Sequence, residues 1–350
     1  MRAVTYLDSR DGAWREGVGT VVDGQVRVHD EPPAPDMPRL EGVLTGGFTD
    51  AHVHLQLVDH TQLSGSPLAR VVDLGGNPDT LARLAAAARA RARAGHNSGV
   101  LTPTPTSAAE TTPIREHSPE LCPPADVEVV FAGAFFTPPG GYPSDRAWAP
   151  EGAVREVADA ADAARAVAEM KASGAAVIKI AGNSTAGPVF TDDLFRVLVA
   201  QAAAHGLPVV AHAEGRGEAQ RAVRLGATRL AHAPFSERLT DAEIAAQATS
   251  AVWISTLAIH TGEAYAIAVD NVRRFHAAGG TVRYGTDMGN GPTPVGLNPR
   301  ELDALREAGI DGRELLRTLD PAPGAPWYLT AGDAIDPLDA RPLTPIDLEA

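Results

Sequence analysis

The chain has 350 residues, a net charge of −14, 44% hydrophobic residues and 21% charged residues. That is enough for one large barrel domain, or two medium domains, of ordinary globular composition. The acidic balance argues against nucleic acid or an anionic membrane surface as a partner and leaves a small-molecule ligand.

In chain order, the opening MRAVTYLDSRDG lacks the apolar core of a secretory leader. No apolar run approaches the length of a membrane span, so the expectation is a cytoplasmic protein, with a homo-oligomer open. VTYLD, GVGTVV and QVRVHD alternate in the manner of strands, and Asp23-Gly24 sits between two of them as a hairpin turn. EPPAPDMP at 31–38 reads as a linker. Short apolar runs then alternate with Ala-rich amphipathic segments. Strands are expected at 46–55, 69–75, 127–136, 175–181, 207–213, 228–233, 251–257 and 281–287. Helices are expected near 78–94, 153–173, 191–205, 216–226, 240–249, 264–278 and 299–308, with Gly95, Gly174, Gly206, Gly226 and Gly279 closing five of them. The segment 96–126, rich in Pro, Thr and Ser, breaks this rhythm as an excursion loop with room for one short strand at Val100–Thr104. It holds the single cysteine, Cys122, which cannot form an internal disulfide and has no nucleophile signature around it.

The fold class is therefore α/β. Eight strands with helices between them imply a parallel sheet, and eight is the number that closes a (β/α)8 TIM barrel; an open doubly wound sheet is the alternative. The division is a β-rich segment of a small domain at 1–43, the barrel at 44–320, and a tail at 321–350 that can join the small domain.

Chemistry gathers at the strand ends. Asp50, His52 and His54 share one face of the first barrel strand, because alternate residues of a strand point the same way. Two imidazoles so placed can bind one metal ion, with Asp50 behind them. His212 in VVAHAEG, His232 in RLAHA and Asp287 in RYGTD fall at the ends of the fifth, sixth and eighth strands. The C-terminal strand ends form the active face of such a barrel, so these residues converge. A packed histidine would explain any one of them but not four at equivalent positions. Lys179, between Ile178 and Ile180 near the end of the fourth strand, is costly to bury as an ammonium. Either its head reaches solvent, or desolvation leaves a nucleophilic amine able to take up carbon dioxide as a metal-bridging carbamate.

GGFTDAHVHL resembles the opening of the amidohydrolase superfamily. SGAAVIKIAGNSTAGPVF, HGLPVVAHAEG, LGATRLAHAPF and YGTDMGN resemble its branch of imidazolonepropionase-like proteins and metal-dependent Xaa-Pro dipeptidases, over roughly Leu44 to Thr318. The resemblance implies that His52 and His54 bind the more buried metal. It implies that Lys179, as N6-carboxylysine, bridges, and that His212 and His232 bind a second metal. Asp287 is implied to bind metal and to shuttle protons. The sequence departs from the pattern at Glu214, where relatives often carry a second histidine, at Tyr142, where many carry a histidine after GG, and in the short acidic tail after Trp327, which suggests a reduced small domain.

The expected function is hydrolysis of an amide, cyclic amide or lactone by metal-activated water, with one or two divalent cations; a histidine-rich set with one carboxylate suits Zn2+. Deamination or another non-hydrolytic reaction on the same site is the alternative, and a non-catalytic binder is disfavoured because every ligand position is filled. Tyr142, Arg146, His260 and Asn290, on loops after strands, are candidates for substrate contact. His260 can equally cap or pack, and Trp148 and Phe235 can line an apolar pocket or simply pack.

Overall fold

The computed structural model describes residues 1–97, 127–330 and 335–349. Cys122, the strand expected at Val100–Thr104 and nearly all of the 96–126 segment lie outside them. The chain opens with β1 (Arg2–Leu7), β2 (Trp14–Val22), β3 (Gln25–His29) and β4 (Val43–Thr45). The β2–β3 turn is Asp23-Gly24, with φ of 52° and 73°, the left-handed pair that a two-residue hairpin needs. Then come β5 (Phe48–Val53), β6 (Leu68–Asp73), α1 (Pro78–Asn97), β7 (Glu128–Phe131), β8 (Phe135–Thr137), β9 (Val154–Glu156) and α2 (Ala160–Ser173). They are followed by β10 (Ile178–Asn183), α3 (Asp192–Ala204), β11 (Val209–Glu214), α4 (Glu218–Arg224), β12 (Arg229–Leu230), α5 (Asp241–Ala248) and β13 (Val252–Ile254). The chain ends with α6 (Gly262–Ala277), β14 (Thr281–Arg283), α7 (Pro299–Glu307), α8 (Gly312–Thr318), β15 (Trp327–Leu329), β16 (Arg341–Pro342) and α9 (Pro345–Glu349).

Two all-parallel sheets carry the α/β part, ordered β5-β6-β7 and β14-β13-β12-β11-β10-β8-β9. Their edges meet: Ala51 N donates to Tyr284 O (3.0 Å), His54 N to Met288 O (2.7 Å) and Ala176 N to Phe131 O (2.9 Å). A third sheet, β16-β15-β4-β1-β2-β3, mixes both ends of the chain. The tail thus supplies two strands and α9, whose Leu348 closes over Val4 and Gly19.

Several boundaries differ from expectation for local reasons. The run 127–136 splits into β7 and β8 at Gly133, whose φ of +79° breaks a strand. The helix expected from 153 begins at Ala160, where the Asp159 side chain accepts from Asp162 N; β9 precedes it. Helix α1 runs through Gly95 to Asn97. Gly174, Gly206, Gly226 and Gly279 do close their helices, with φ from +68° to +106°. The core is a continuous apolar body between strands and helices, where Trp253 stacks on Phe275 with ring centroids 3.8 Å apart. Among the described residues, no helix is long and apolar enough to cross a membrane.

Candidate metal centre

The site is built at the C-terminal ends of the parallel strands. His52 lies in β5 and His54 just after it; both are buried. Each imidazole is fixed by a backbone carbonyl, His52 Nδ1 with Ala231 O and His54 Nδ1 with Gly75 O, both at 2.9 Å. A carbonyl can only accept, so Nδ1 carries the proton and Nε2 of each neutral ring presents a lone pair. Both Nε2 atoms lie 3.1 Å from Asp287 Oδ1. The distances permit hydrogen bonds but the angles do not, and buried Oδ1 has no hydrogen-bond partner. Among the described residues, His52, His54 and Asp287 form the set of three ligating side chains whose donor atoms lie within 4.8 Å of one another.

This convergence depends on close backbone approach. A Cβ on Gly285 would lie 2.3 Å from Ile254 Cγ2 and 3.2 Å from His52 Cβ. One on Gly75 would clash with the Phe135 ring, 2.1 Å from its nearest carbon. Asp287 itself has a φ of 54°, a left-handed conformation that aspartate tolerates better than most side chains. Such conformations cluster at functional sites.

The other expected ligands continue from this core. Lys179, 2% exposed, points Nζ to within 3.5 Å of His52 Nε2 and lies 5.9 Å from the Phe135 ring centroid. Among the described residues no carboxylate lies within 4.0 Å of it; Glu214 instead contacts His212 and Asn183. Burial pushes the Lys179 ammonium down to about 8, partly offset by Asp287 and Asp73. The His232 ring lies 4.8 Å from that of His52 and 4.9 Å from that of His212, and His232 Nδ1 is 2.9 Å from Thr256 Oγ1. Burial holds His52 and His232 well below the ordinary imidazole range. Asp287 is lowered despite burial, because three imidazoles surround it. The donor set of bare imidazole nitrogens and an unpaired carboxylate oxygen fits a divalent transition metal.

Of the expected substrate contacts, Tyr142 stacks on His212 (5.4 Å, 29°), and the Arg146 guanidinium carbon lies 5.7 Å from the Tyr142 ring centroid. His260 packs against Phe235 at 4.2 Å, and its Nε2 is buried without a partner. Burial pulls it down to about 4. Asn290 turns inward: its Nδ2 donates to Asp287 Oδ2 at 2.8 Å, so it braces the carboxylate. Asp50 accepts from His52 N (3.0 Å), Thr286 N (3.1 Å) and Thr286 Oγ1 (2.6 Å).

Sequence reading missed three supports. Asp73 accepts from Leu55 N and Gly75 N, fixing the loop whose carbonyl holds His54. Glu301 on α7 accepts from Leu257 N and Ala258 N, fixing the turn between Thr256 and His260. Thr256 orients His232. A lone acidic residue closing the apolar run ARVVD was the one available signal, for Asp73.

The sequence matches the amidohydrolase family over residues 43–317. No curated protein matches it. Among solved structures it resembles the A. niger ochratoxinase, at 14% identity and a TM-score of 0.66, covering 97% of this chain and 94% of that one. It also resembles a Xaa-Pro dipeptidase with methionine bound in its active site, at 15% identity and a TM-score of 0.60 (97% and 99% covered). Phenylurea hydrolase B matches at 15% identity and a TM-score of 0.61, with 97% and 93% covered. At these identities the likeness is one of fold.

Proposed function

This chain belongs to the amidohydrolase family and is an enzyme of amide C–N bonds, and on that premise we propose that it hydrolyses a small amide with Asp287 as proton shuttle. The carrying observation is the buried Asp287 Oδ1, without a hydrogen-bond partner and 3.1 Å from two imidazole nitrogens whose opposite edges are tied to carbonyls. A divalent cation, for which Zn2+ is our choice, supplies Lewis acidity when bound there, acidifying a water and polarising the substrate carbonyl. His52, His54 and Asp287 would hold one cation, and His212 and His232 a second. Lys179, its ammonium pulled down to about 8 by burial, would as the free amine add to carbon dioxide with loss of one proton and bridge the pair as a carbamate.

Asp287 then takes a proton from the attacking water as the carbon–oxygen bond forms, and returns it to the leaving nitrogen as the carbon–nitrogen bond breaks. The products are a carboxylic acid and an amine. Asn290 donates to Asp287 Oδ2, which leaves Oδ1, beside the two imidazoles, as the oxygen free to hold the cation. Trp148 contacts both Phe135 and Tyr142, and Phe235 contacts His260; with these rings grouped around the histidines, we favour an apolar or aryl group beside the scissile bond. We read the two parallel sheets as one (β/α)8 barrel over about 44–320, flanked by a small sheet domain, in a cytoplasmic protein.

Metal analysis followed by a panel of N-acyl amino acids, dipeptides, cyclic imides, aryl amides and lactones tests this reading. The expected result is bound transition metal and turnover of an amide that requires it. Full metal content in a His52→Ala, His54→Ala protein would refute the site. Ammonia as the sole nitrogen product would point to deamination instead.

A further inference from the structure

We infer that Glu214 is a positioning residue for a second divalent cation, setting which nitrogen of His212 is free to bind it. This rests on the two-cation form of the reading above. His212 and Glu214 are two residues apart on β11, so their side chains share a face. Glu214 Oε2 lies 3.2 Å from His212 Nε2. An ionised carboxylate has only acceptors, so Nε2 is the donor in this pair. That leaves Nδ1 as the His212 nitrogen able to take a metal. His52, His54 and His232 have the opposite arrangement, with Nδ1 held by an oxygen and Nε2 left over.

Glu214 is itself held. Asn183, its cross-strand partner on β10, donates from Nδ2 to the same Oε2 at 2.7 Å. Thr185 N and Oγ1 both donate to Asn183 Oδ1, at 3.0 and 2.7 Å, which fixes the amide with its NH2 toward Glu214. Tyr142 covers one face of the His212 ring, and the His232 ring stands edge-on at 88°. The imidazole is thus held by a hydrogen-bonded chain on one edge and by ring packing on its face. Carboxylates that accept from the far nitrogen of a ligating imidazole fix its tautomer and raise its basicity.

The test is titration of the metal-free full-length protein with Co2+ and with Zn2+, read by calorimetry and by the visible spectrum of bound cobalt. Wild type, E214A and E214Q are compared. Wild type should take up two cations. E214A should lose about 10–100-fold in affinity for one of them and change the cobalt bands of that step alone, by analogy with other such supports. E214Q, whose carbonyl oxygen still accepts from Nε2, should stay close to wild type. Equal affinities in E214A and wild type would overturn the assignment. So would an E214Q loss as large as that of E214A, because Glu214 would then be a ligand itself. An equal loss at both sites would mean general structural damage, and a single cation in wild type would remove the role. None of these outcomes touches the His52–His54–Asp287 site, which stands or falls with the His52→Ala, His54→Ala protein.

Discussion

Glu301 offers a quantitative test of how the site is supported. Its carboxylate is fully buried and accepts from Leu257 N at 3.0 Å and Ala258 N at 2.7 Å. In E301A both backbone donors are stranded, and at about 1–3 kcal/mol each the loss is about 2–6 kcal/mol before any cavity is counted. In E301Q one oxygen can still accept while the new NH2 faces the second donor, so about 1–3 kcal/mol is expected. Either is a large share of a total stability of about 5–15 kcal/mol. Burial also raises the Glu301 carboxyl from 4.5 to about 7. Because the folded value lies above the unfolded one, this stabilisation is complete below pH 4.5 and is lost as pH rises through about 7. At about 1.4 kcal/mol for each pH unit, the gap bounds the loss at about 3 kcal/mol. E301Q lacks that slope, so its deficit should shrink between pH 5 and pH 8. Urea unfolding of the three proteins at both pH values, followed by circular dichroism and tryptophan fluorescence, measures each quantity. Coincident curves for E301A and wild type, or a deficit in E301Q that grows with pH, would refute the reasoning.

Three further outcomes are expected. Asp287→Asn should lower kcat by about 10²–10⁴-fold while KM changes little, since the amide cannot relay a proton; steady-state kinetics showing an effect on KM alone would make Asp287 a pocket residue only. Lys179→Ala should lose metal, and added formate or acetate should restore part of the activity by filling the gap; metal content equal to wild type would rule out a bridging role. Trp253→Ala should cost about 3–5 kcal/mol, because a fully buried indole leaves Phe275 facing a cavity and Gln247 Oε1 without its donor; an unchanged melting temperature would contradict the packing.

What was legible in the sequence follows from what repeats. His52, His54, Lys179, His212, His232 and Asp287 could be read together because each falls in or just after a short apolar run, and such runs in alternation with helices imply parallel strands side by side. The hairpin at Asp23-Gly24 and the glycine stops after α2, α3, α4 and α6 are local chemistry, carried by the residues themselves. The supports were hidden because their partners are chosen by tertiary structure. Glu301 reads as a helix-face residue until α7 lies beside the turn at Leu257, 44 positions earlier. The bond from Asn290 to Asp287, and those from His52 N, Thr286 N and the Thr286 hydroxyl to Asp50, likewise join residues whose pairing only the fold reveals. Gly133 interrupts a run that is apolar on both sides, so periodicity alone joins β7 to β8.

The sheet shared by the two chain ends bears on how the protein is made. Strand β4 lies between β1 and β15, yet the Tyr328 hydroxyl reaches the Glu41 carbonyl across 287 residues. During synthesis β1 to β4 emerge early and β15 much later, so the outer edge of β4 waits unpaired while the helices and parallel strands between them assemble. An open edge invites pairing with another chain, and short edge strands limit that risk. β4 is three residues long. A nascent chain stalled before Trp327 therefore presents only a short sticky edge at β4, which β15 covers once it emerges.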